Sequence, residues 1–385
     1  MRKQAFWRAG LAIVLLLIGV VVCGQSEEMS CIALLGRVID GTGSDPIEDG
    51  VVLIEGEHII AVGDRQSIAI PTDAITFETD NATILPGFIN THVHNSASWW
   101  MVNQWILGGV TTVRDLGAPP DEWQVAAARY ANERTYPTVL WAGPIVTVPN
   151  GYPIVPNGFE SLAVESPSDA QAKVAQLIED GIDVVKIAIQ HDEDTVPGCL
   201  SLEEIQAIVN VAHEAGLRVT AHATVSWDIR LALDGGVDEI AHYLDAPGSA
   251  PWLPERMVKD HIAWIPTLAV GNTRTAPELI EFIRLGGIVA LGDDAGYLEL
   301  VDGMPMWEIR AMRRVGMTPM EIIVASTFNA AWVCQIDHAV GSLAEGMIAD
   351  ILVVRGNPLD TIDALNRTLW VLKRGLLVVD NVGEP

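Results

Sequence analysis

Eight alternations of an apolar β run with a helical stretch predict an α/β chain whose body is a (β/α)8 TIM barrel, accompanied by a small β-sandwich domain built from both chain ends. Three observations carry this reading. Strand-like runs recur through the middle of the chain at spacings that leave room for a helix between each pair. Short strands broken by turn residues occupy both ends. No Gly-x-Gly-x-x-Gly turn follows a strand, so a dinucleotide-binding sheet lacks its signature.

The first eight residues carry Arg2, Lys3 and Arg8, and Ala9 to Cys23 is apolar and uncharged. A bilayer span takes about 20 apolar residues, so the run suits a signal-peptide core, with cleavage after Gly24. Residues 1–24 are therefore expected to be a signal peptide or an N-terminal anchor, and the protein to be exported to the periplasm or the cell exterior. Cys23 keeps a lipid anchor open, although the bulky Val22 before it disfavours one. A membrane tether through this segment and a homo-oligomer both stay open.

Residues 31–84 and 340–385 are expected to form the small β domain. Ala33 to Ile39, Val51 to Glu55 and His58 to Val62 read as strands around the turn-rich Asp40 to Pro46. Gly341 to Leu343, Ala349 to Arg355 and Leu369 to Val379 return to the same pattern. Between them, residues 85–339 supply the barrel. Its strands are expected at Ile84 to His94, Val110 to Asp115, Thr138 to Ala142, Val184 to Ile189, Val219 to His222, Glu239 to His242, Ala263 to Leu268 and Ile288 to Asp294. Helix signals lie between them: Ser168 ahead of Asp169 to Asp180, Ser201 with Glu204 as a capping box, and Thr318-Pro319-Met320-Glu321.

An apolar content of 49% excludes a disordered chain. The net charge of -27 argues against nucleic acid or an anionic membrane as partner. Cys23, Cys31, Cys199 and Cys334 are too scattered for a zinc finger or disulfide scaffold, though one disulfide stays open.

The chemistry sits at strand ends. His92 and His94, two apart on a strand, point the same way and can share one cation. In a barrel the C-terminal ends of the strands meet at one mouth, and there the chain also places Lys186, His222, His242 and Asp294. Singly, His222 and His242 are equally readable as structural histidines, and Asp294 as a helix cap. Lys186, amid Val184, Val185, Ile187 and Ala188, is harder to place: a buried ammonium must lose its charge or find a partner. Carboxylation by CO2 to a metal-bridging carbamate is one solution, and a salt bridge to Asp294 is the other.

Several stretches together resemble the metal-dependent amidohydrolase superfamily, in its imidazolonepropionase-like and prolidase-like (Xaa-Pro dipeptidase-like) branch. They are Leu85 to His94, Gly109 to Asp115, Asp183 to Ile187, Ala221-His222-Ala223, Gly292 to Gly296 and Gly341 to Asp350. The resemblance implies two divalent metal ions, zinc above all, one held by His92, His94, carboxylated Lys186 and Asp294, the other by the same carbamate with His222 and His242. It departs at Asn90, where the family usually has aspartate, at Asp293, where threonine is usual, and at Tyr243, where glycine is common.

On this resemblance, a metal-activated hydroxide is expected to hydrolyse amide C–N bonds of peptide-like or cyclic amide substrates, with Asp294 as the proton carrier. The same binuclear centre would serve a lactone, carbamate or phosphoester hydrolase, and a metal-free structural homologue is the third alternative. Arg114, Tyr152 and Tyr243 are candidate contacts to a substrate carboxylate. Trp99, Trp100 and Trp105 are either rim packing or an aromatic pocket wall, and the loop Gly143 to Pro167 is long enough to meet a small-molecule or dipeptide-like substrate.

Overall fold

The computed structural model describes residues 31–383 apart from 120–121, 132, 156, 160, 192–194, 272–274 and 297–302. The expected leader, residues 1–24, lies outside the described residues, as does Pro156 of the long loop. No helix among the described residues is long and apolar enough to cross a membrane.

The strands run β1 Ile32–Val38, β2 Ile47–Glu55, β3 His58–Asp64, β4 Ile75–Pro86, β5 Phe88–Val93, β6 Val110–Asp115, β7 Thr138–Trp141, β8 Val146–Thr147 and β9 Leu162–Ala163. They continue as β10 Val185–Ala188, β11 Val219–His222, β12 Glu239–Ala241, β13 Ala263–Ile265, β14 Ile351–Arg355, β15 Thr368–Lys373 and β16 Leu376–Asp380. The helices are α1 Trp99–Gly108, α2 Trp123–Tyr130, α3 Pro167–Glu179, α4 Leu202–Glu214 and α5 Ser226–Gly235, then α6 Leu253–Lys259, α7 Pro277–Arg284, α8 Met306–Arg314, α9 Pro319–Ser326 and α10 Phe328–Val333.

Both chain ends share one seven-stranded sheet in the order β16, β15, β14, β4, β1, β2, β3. The expected sandwich is not shown by this strand order, which is one continuous ladder. The join is made by β4, which pairs parallel with β1 and antiparallel with β14. A buried Lys373–Asp350 ion pair at 2.5 Å adds to it, with Arg374 N–H donating to the same carboxylate.

The body is parallel α/β, but its ladders do not form one continuous ring. One sheet runs β5, β6, β7 and another β13, β12, β11, β10, β8, β9. The eighth expected strand, Ile288 to Asp294, is not a regular strand. It touches its neighbours through single parallel bridges, Trp264 with Val289 and Val93 with Ala295. Backbone bonds reach both sides, Thr91 N–H to Leu291 O at 2.9 Å and Ala290 N–H to Trp264 O at 3.0 Å. Left-handed backbone at Asp294, φ 58°, and Gly296, φ 115°, bends the segment out of strand geometry.

β10 to β13 are buried at every residue, as parallel strands covered on both faces should be. Local signals explain the helix starts. Ser201 with Glu204 and Thr318 with Glu321 form complete capping boxes. α3 begins earlier than its pattern suggests, because Ser166 rather than Ser168 accepts from Asp169 N–H while Pro167 takes the first position.

The first barrel strand, expected unbroken from Ile84 to His94, divides at Gly87 into β4 and β5. A Cβ there would lie 2.3 Å from the Thr111 side chain, so only glycine lets the chain turn from the small sheet into the body. Gly87→Ala is expected to lower stability by about 1–3 kcal/mol, read as an earlier denaturation midpoint, and adding Thr111→Ala to recover part of that loss.

Candidate metal centre

His92 stands on β5 and His94 directly after it, Lys186 on β10, His222 at the end of β11, His242 just past β12, and Asp294 in the segment after α7. All six line one cavity, together with Ile145, Tyr152, Pro153 and Ala188. Parallel pairing produces this convergence: Ala188 is opposite His222, and His222 opposite Ala241, so neighbouring strands end at one level.

Two imidazole nitrogens approach Asp294 Oδ1, His92 Nε2 at 3.1 Å and His94 Nε2 at 3.0 Å. The other ring nitrogens define which side of each imidazole faces the centre. His94 Nδ1 is 3.2 Å from Gly117 O, a pure acceptor, which puts the proton on Nδ1 and the lone pair on Nε2. His222 Nε2 lies 2.9 Å from Gln190 Oε1, which leaves Nδ1 as its lone-pair side. His242 Nδ1 is 3.0 Å from Thr267 Oγ1. The His92 and His242 rings lie 4.9 Å apart, and those of His222 and His242 4.3 Å.

The donor set fits a cation. Both ring nitrogens of His92, Lys186 Nζ and Asp294 Oδ1 are buried without a hydrogen-bond partner. Ligand atoms of His92, His242 and Asp294 all lie within 4.8 Å of one another. An imidazole lone pair, an amine and a carboxylate oxygen drawn together in a buried cavity without partners form a donor set that a shared divalent ion would satisfy. Two of the six residues also hold left-handed backbone, His242 at φ 79° and Asp294 at φ 58°, a cost of order 1–3 kcal/mol each that concentrates at functional sites.

Protonation states agree with ligation. Burial, reinforced by the Lys186 charge, lowers His92 and His222 to about 3, and burial with the neighbouring His222 holds His242 well below its usual value, so all three are neutral at physiological pH. Burial would raise Asp294, but the surrounding imidazoles overcome it and keep the carboxyl well below the usual range. Burial, aided by the Arg114 cation, brings Lys186 down to about 7.

Two of the three expected substrate contacts are placed elsewhere. Arg114 faces the strand interior: its guanidinium grips both oxygens of Glu239 at 3.2 and 2.7 Å and donates from Nε to Thr91 O. Thr220 Oγ1–H completes that buried network with a 2.6 Å bond to Glu239. Tyr243 lines a separate small cavity with Trp264 and Leu279. Only Tyr152 lies over the centre, its ring stacked on His222 at 4.4 Å. Of the tryptophans in the first loop, Trp105 is core, while Trp99 and Trp100 are exposed. Asp293 accepts from Asn90 Nδ2 at 2.8 Å, so the two departures from the usual family pattern answer each other.

Sequence reasoning passed over Gln190, Thr267, Glu239 and Glu308. The first two are short polar residues just past strand ends. Glu239 had a legible signal, a carboxylate inside an apolar strand that needs a buried cation. Glu308, on α8, accepts from Leu268 N–H and Ala269 N–H and so fixes the turn carrying Thr267.

A parallel α/β body with imidazoles, a lysine and a carboxylate gathered at its strand ends is the arrangement of a metal-binding hydrolase. The chain belongs to the amidohydrolase family, whose profile matches residues 83–374. It is 25% identical over 394 residues to the imidazolonepropionase of Symbiobacterium thermophilum, covering 87% of this chain and 91% of that one. With adenine deaminase 4 of Rhizobium meliloti the identity is 23% over 358 residues, covering 85% of this chain but 54% of the relative, about half its length. A solved Xaa-Pro dipeptidase with bound methionine in its active site superposes with a TM-score of 0.77 at 22% identity, covering 90% of this chain and 99% of the other, which establishes the α/β amidohydrolase fold.

Arg114→Leu strands Glu239 as a lone buried charge and is expected to cost about 3–5 kcal/mol in denaturant unfolding. Burial raises Glu308 from 4.5 to about 8, so the folded state holds that proton more tightly than the unfolded chain. Its stabilising contribution is complete below 4.5 and disappears as pH rises through about 8. Glu308→Gln should flatten the fall in stability across that window, measured as unfolding midpoint against pH.

Proposed function

We propose that this protein is an exported metal-dependent hydrolase that cleaves amide C–N bonds in peptide-like or cyclic amide substrates. The observation that carries the reading is the set of buried, unpartnered polar atoms on His92, Lys186 and Asp294, inside a cavity shared with His94, His222 and His242. In this reading the segment 288–295 closes a (β/α)8 barrel spanning residues 85–339, and residues 31–84 with 340–385 form a separate domain beside it.

Two divalent ions, zinc by the nitrogen-rich donor set, would supply a hydroxide nucleophile and polarise the substrate carbonyl. His92, His94, Lys186 and Asp294 would hold one, and Lys186 with His222 and His242 the other. A fully buried amine brought to about 7 is substantially uncharged at neutral pH, the form that adds to CO2, which supports Lys186 as the carbamate bridge.

Asp294 takes the proton from the attacking water and returns it to the departing amine. Its carboxyl, held well below the usual range beside these imidazoles, is the one acidic group among the described residues lining the cavity. Tyr152, whose phenol burial keeps protonated, stands over His222 as a hydrogen-bond donor to the substrate. The tautomers of His94 and His222 are kept by Gly117 and Gln190.

Asp294→Asn is expected to fold normally and lose at least about 100-fold in kcat. Retention of full activity by that variant with its metal content intact would refute the assignment. Removing metal with a chelator should abolish turnover of an amide panel and lower the melting temperature. Activity should return on adding zinc with bicarbonate, and more slowly with zinc alone.

A further inference from the structure

Asp294 holds left-handed backbone, φ 58°, and its two neighbours in the chain are tied together across it. Asp293 Oδ1 accepts from Ala295 N–H at 3.1 Å, the turn in which an aspartate side chain reaches the backbone two residues on and so encloses the residue between. The same oxygen accepts from Asn90 Nδ2 on β5 at 2.8 Å. That second bond is charge-assisted, and it fastens the turn to the strand that carries His92.

Asn90 is fully buried, and its remaining atom, Oδ1, accepts a longer bond of 3.4 Å from His92 N–H. One amide therefore touches the backbone of one cavity residue and the turn of another. Its chemistry suits both: it donates to a carboxylate while accepting from an N–H, whereas an aspartate at this position would set two carboxylates 2.8 Å apart. Around the pair the two backbones interlock, with Asp294 N–H donating to His92 O at 2.9 Å and His94 N–H to Ala295 O at 2.7 Å. The turn is also pressed against β5 beyond Ala295, since a Cβ on Gly296 would lie 2.2 Å from His94 O. Neither Asn90 nor Asp293 is among the described residues lining the cavity, so neither reaches a substrate or an ion there directly.

Resting on the reading of the six cavity residues as a metal centre, we propose that Asn90 and Asp293 are positioning residues that act through Asp294. Together they set its backbone so that Oδ1 faces His92 and His94, and thereby govern both its hold on an ion and its handling of the proton.

The test uses the full chain, stripped of metal and titrated with Zn2+ or Co2+, as wild type, Asp293→Ala, Asn90→Asp, and Asn90→Asp combined with Asp293→Asn. Asp293→Ala and Asn90→Asp should each weaken the ion on the Asp294 side by about 10–100-fold and change the visible spectrum of the Co2+ form. On an amide that the wild type cleaves, both should lower kcat and leave KM near its wild-type value. The double variant places amide and carboxylate on opposite ends of the same bond and should recover most of the Asn90→Asp loss.

Thr91→Val is the control, because it removes another bond between the same two segments, Thr91 Oγ1–H to Leu291 O at 2.7 Å, without touching Asp294. It should lower the melting temperature and leave Zn2+ affinity unchanged. Wild-type Zn2+ affinity in Asp293→Ala, or affinity losses that track melting temperature alike in Asp293→Ala and Thr91→Val, overturns the proposal. If Asp293→Ala does not fold, Asn90→Asp and its double variant decide: recovery upholds the pairing and no recovery refutes it. Should the wild type bind no metal, the metal-centre reading fails by itself, and crystal structures of the wild type and Asn90→Asp decide the positioning. Asp294 leaving left-handed backbone in the variant upholds it, and an unmoved Asp294 refutes it.

Discussion

Withdrawing six ionisable side chains from water into one cavity is the constraint that shapes this molecule. Burial, with the neighbouring charges, lowers His92, His222 and His242 and drives Lys186 toward its free amine, while the imidazoles beside Asp294 hold its carboxyl well below the usual range against the same burial. The result is a set of imidazole lone pairs, an amine and a carboxylate that water no longer solvates. Such a set is unfavourable as it stands and becomes favourable when a cation enters, so the stability of the region and its affinity for metal are two sides of one free energy.

Around that set, the chain uses its polar groups for orientation. Gly117 takes one ring nitrogen of His94 and leaves the other facing Asp294, and Gln190 and Thr267 each hold one nitrogen of His222 and His242. Asp115 accepts from Ser96 and Gly117, and Glu308 holds the turn of Thr267, so each orienting group is itself held. Beneath the centre the Arg114–Glu239 pair places a compensated charge where an unpaired one would be prohibitive, and its cation helps keep Lys186 neutral. The Gln190, Thr267, Glu239 and Glu308 bonds join segments distant in the chain, so the geometry of the centre depends on the body holding together.

The small sheet contributes in the same way from outside. Because β4 passes through Gly87 into β5, the strand carrying His92 is anchored in two units at once, and the pairing of β4 with β14 ties that anchor to the other chain end. Trp99, Trp100, Trp227 and Trp307 begin helices or lie in their first turns and are exposed.

By itself the sequence determined what local pattern and side-chain chemistry can specify. The run of apolar β segments set the α/β class, the capping boxes at Ser201 and Thr318 marked where α4 and α9 begin, and a histidine, lysine or aspartate at the end of an apolar strand marked each of the six cavity residues. Those features are legible because each depends on neighbours a few positions away. Only the tertiary structure decided that Arg114 belongs to Glu239, 125 positions on, rather than to substrate. It also decided that β4 and β5 part at Gly87, that segment 288–295 bridges rather than pairs, and that Gln190 orients His222. Each of these turns on a contact between residues distant in the chain, and the energy of such a contact is set by which group is left nearest once water has been excluded.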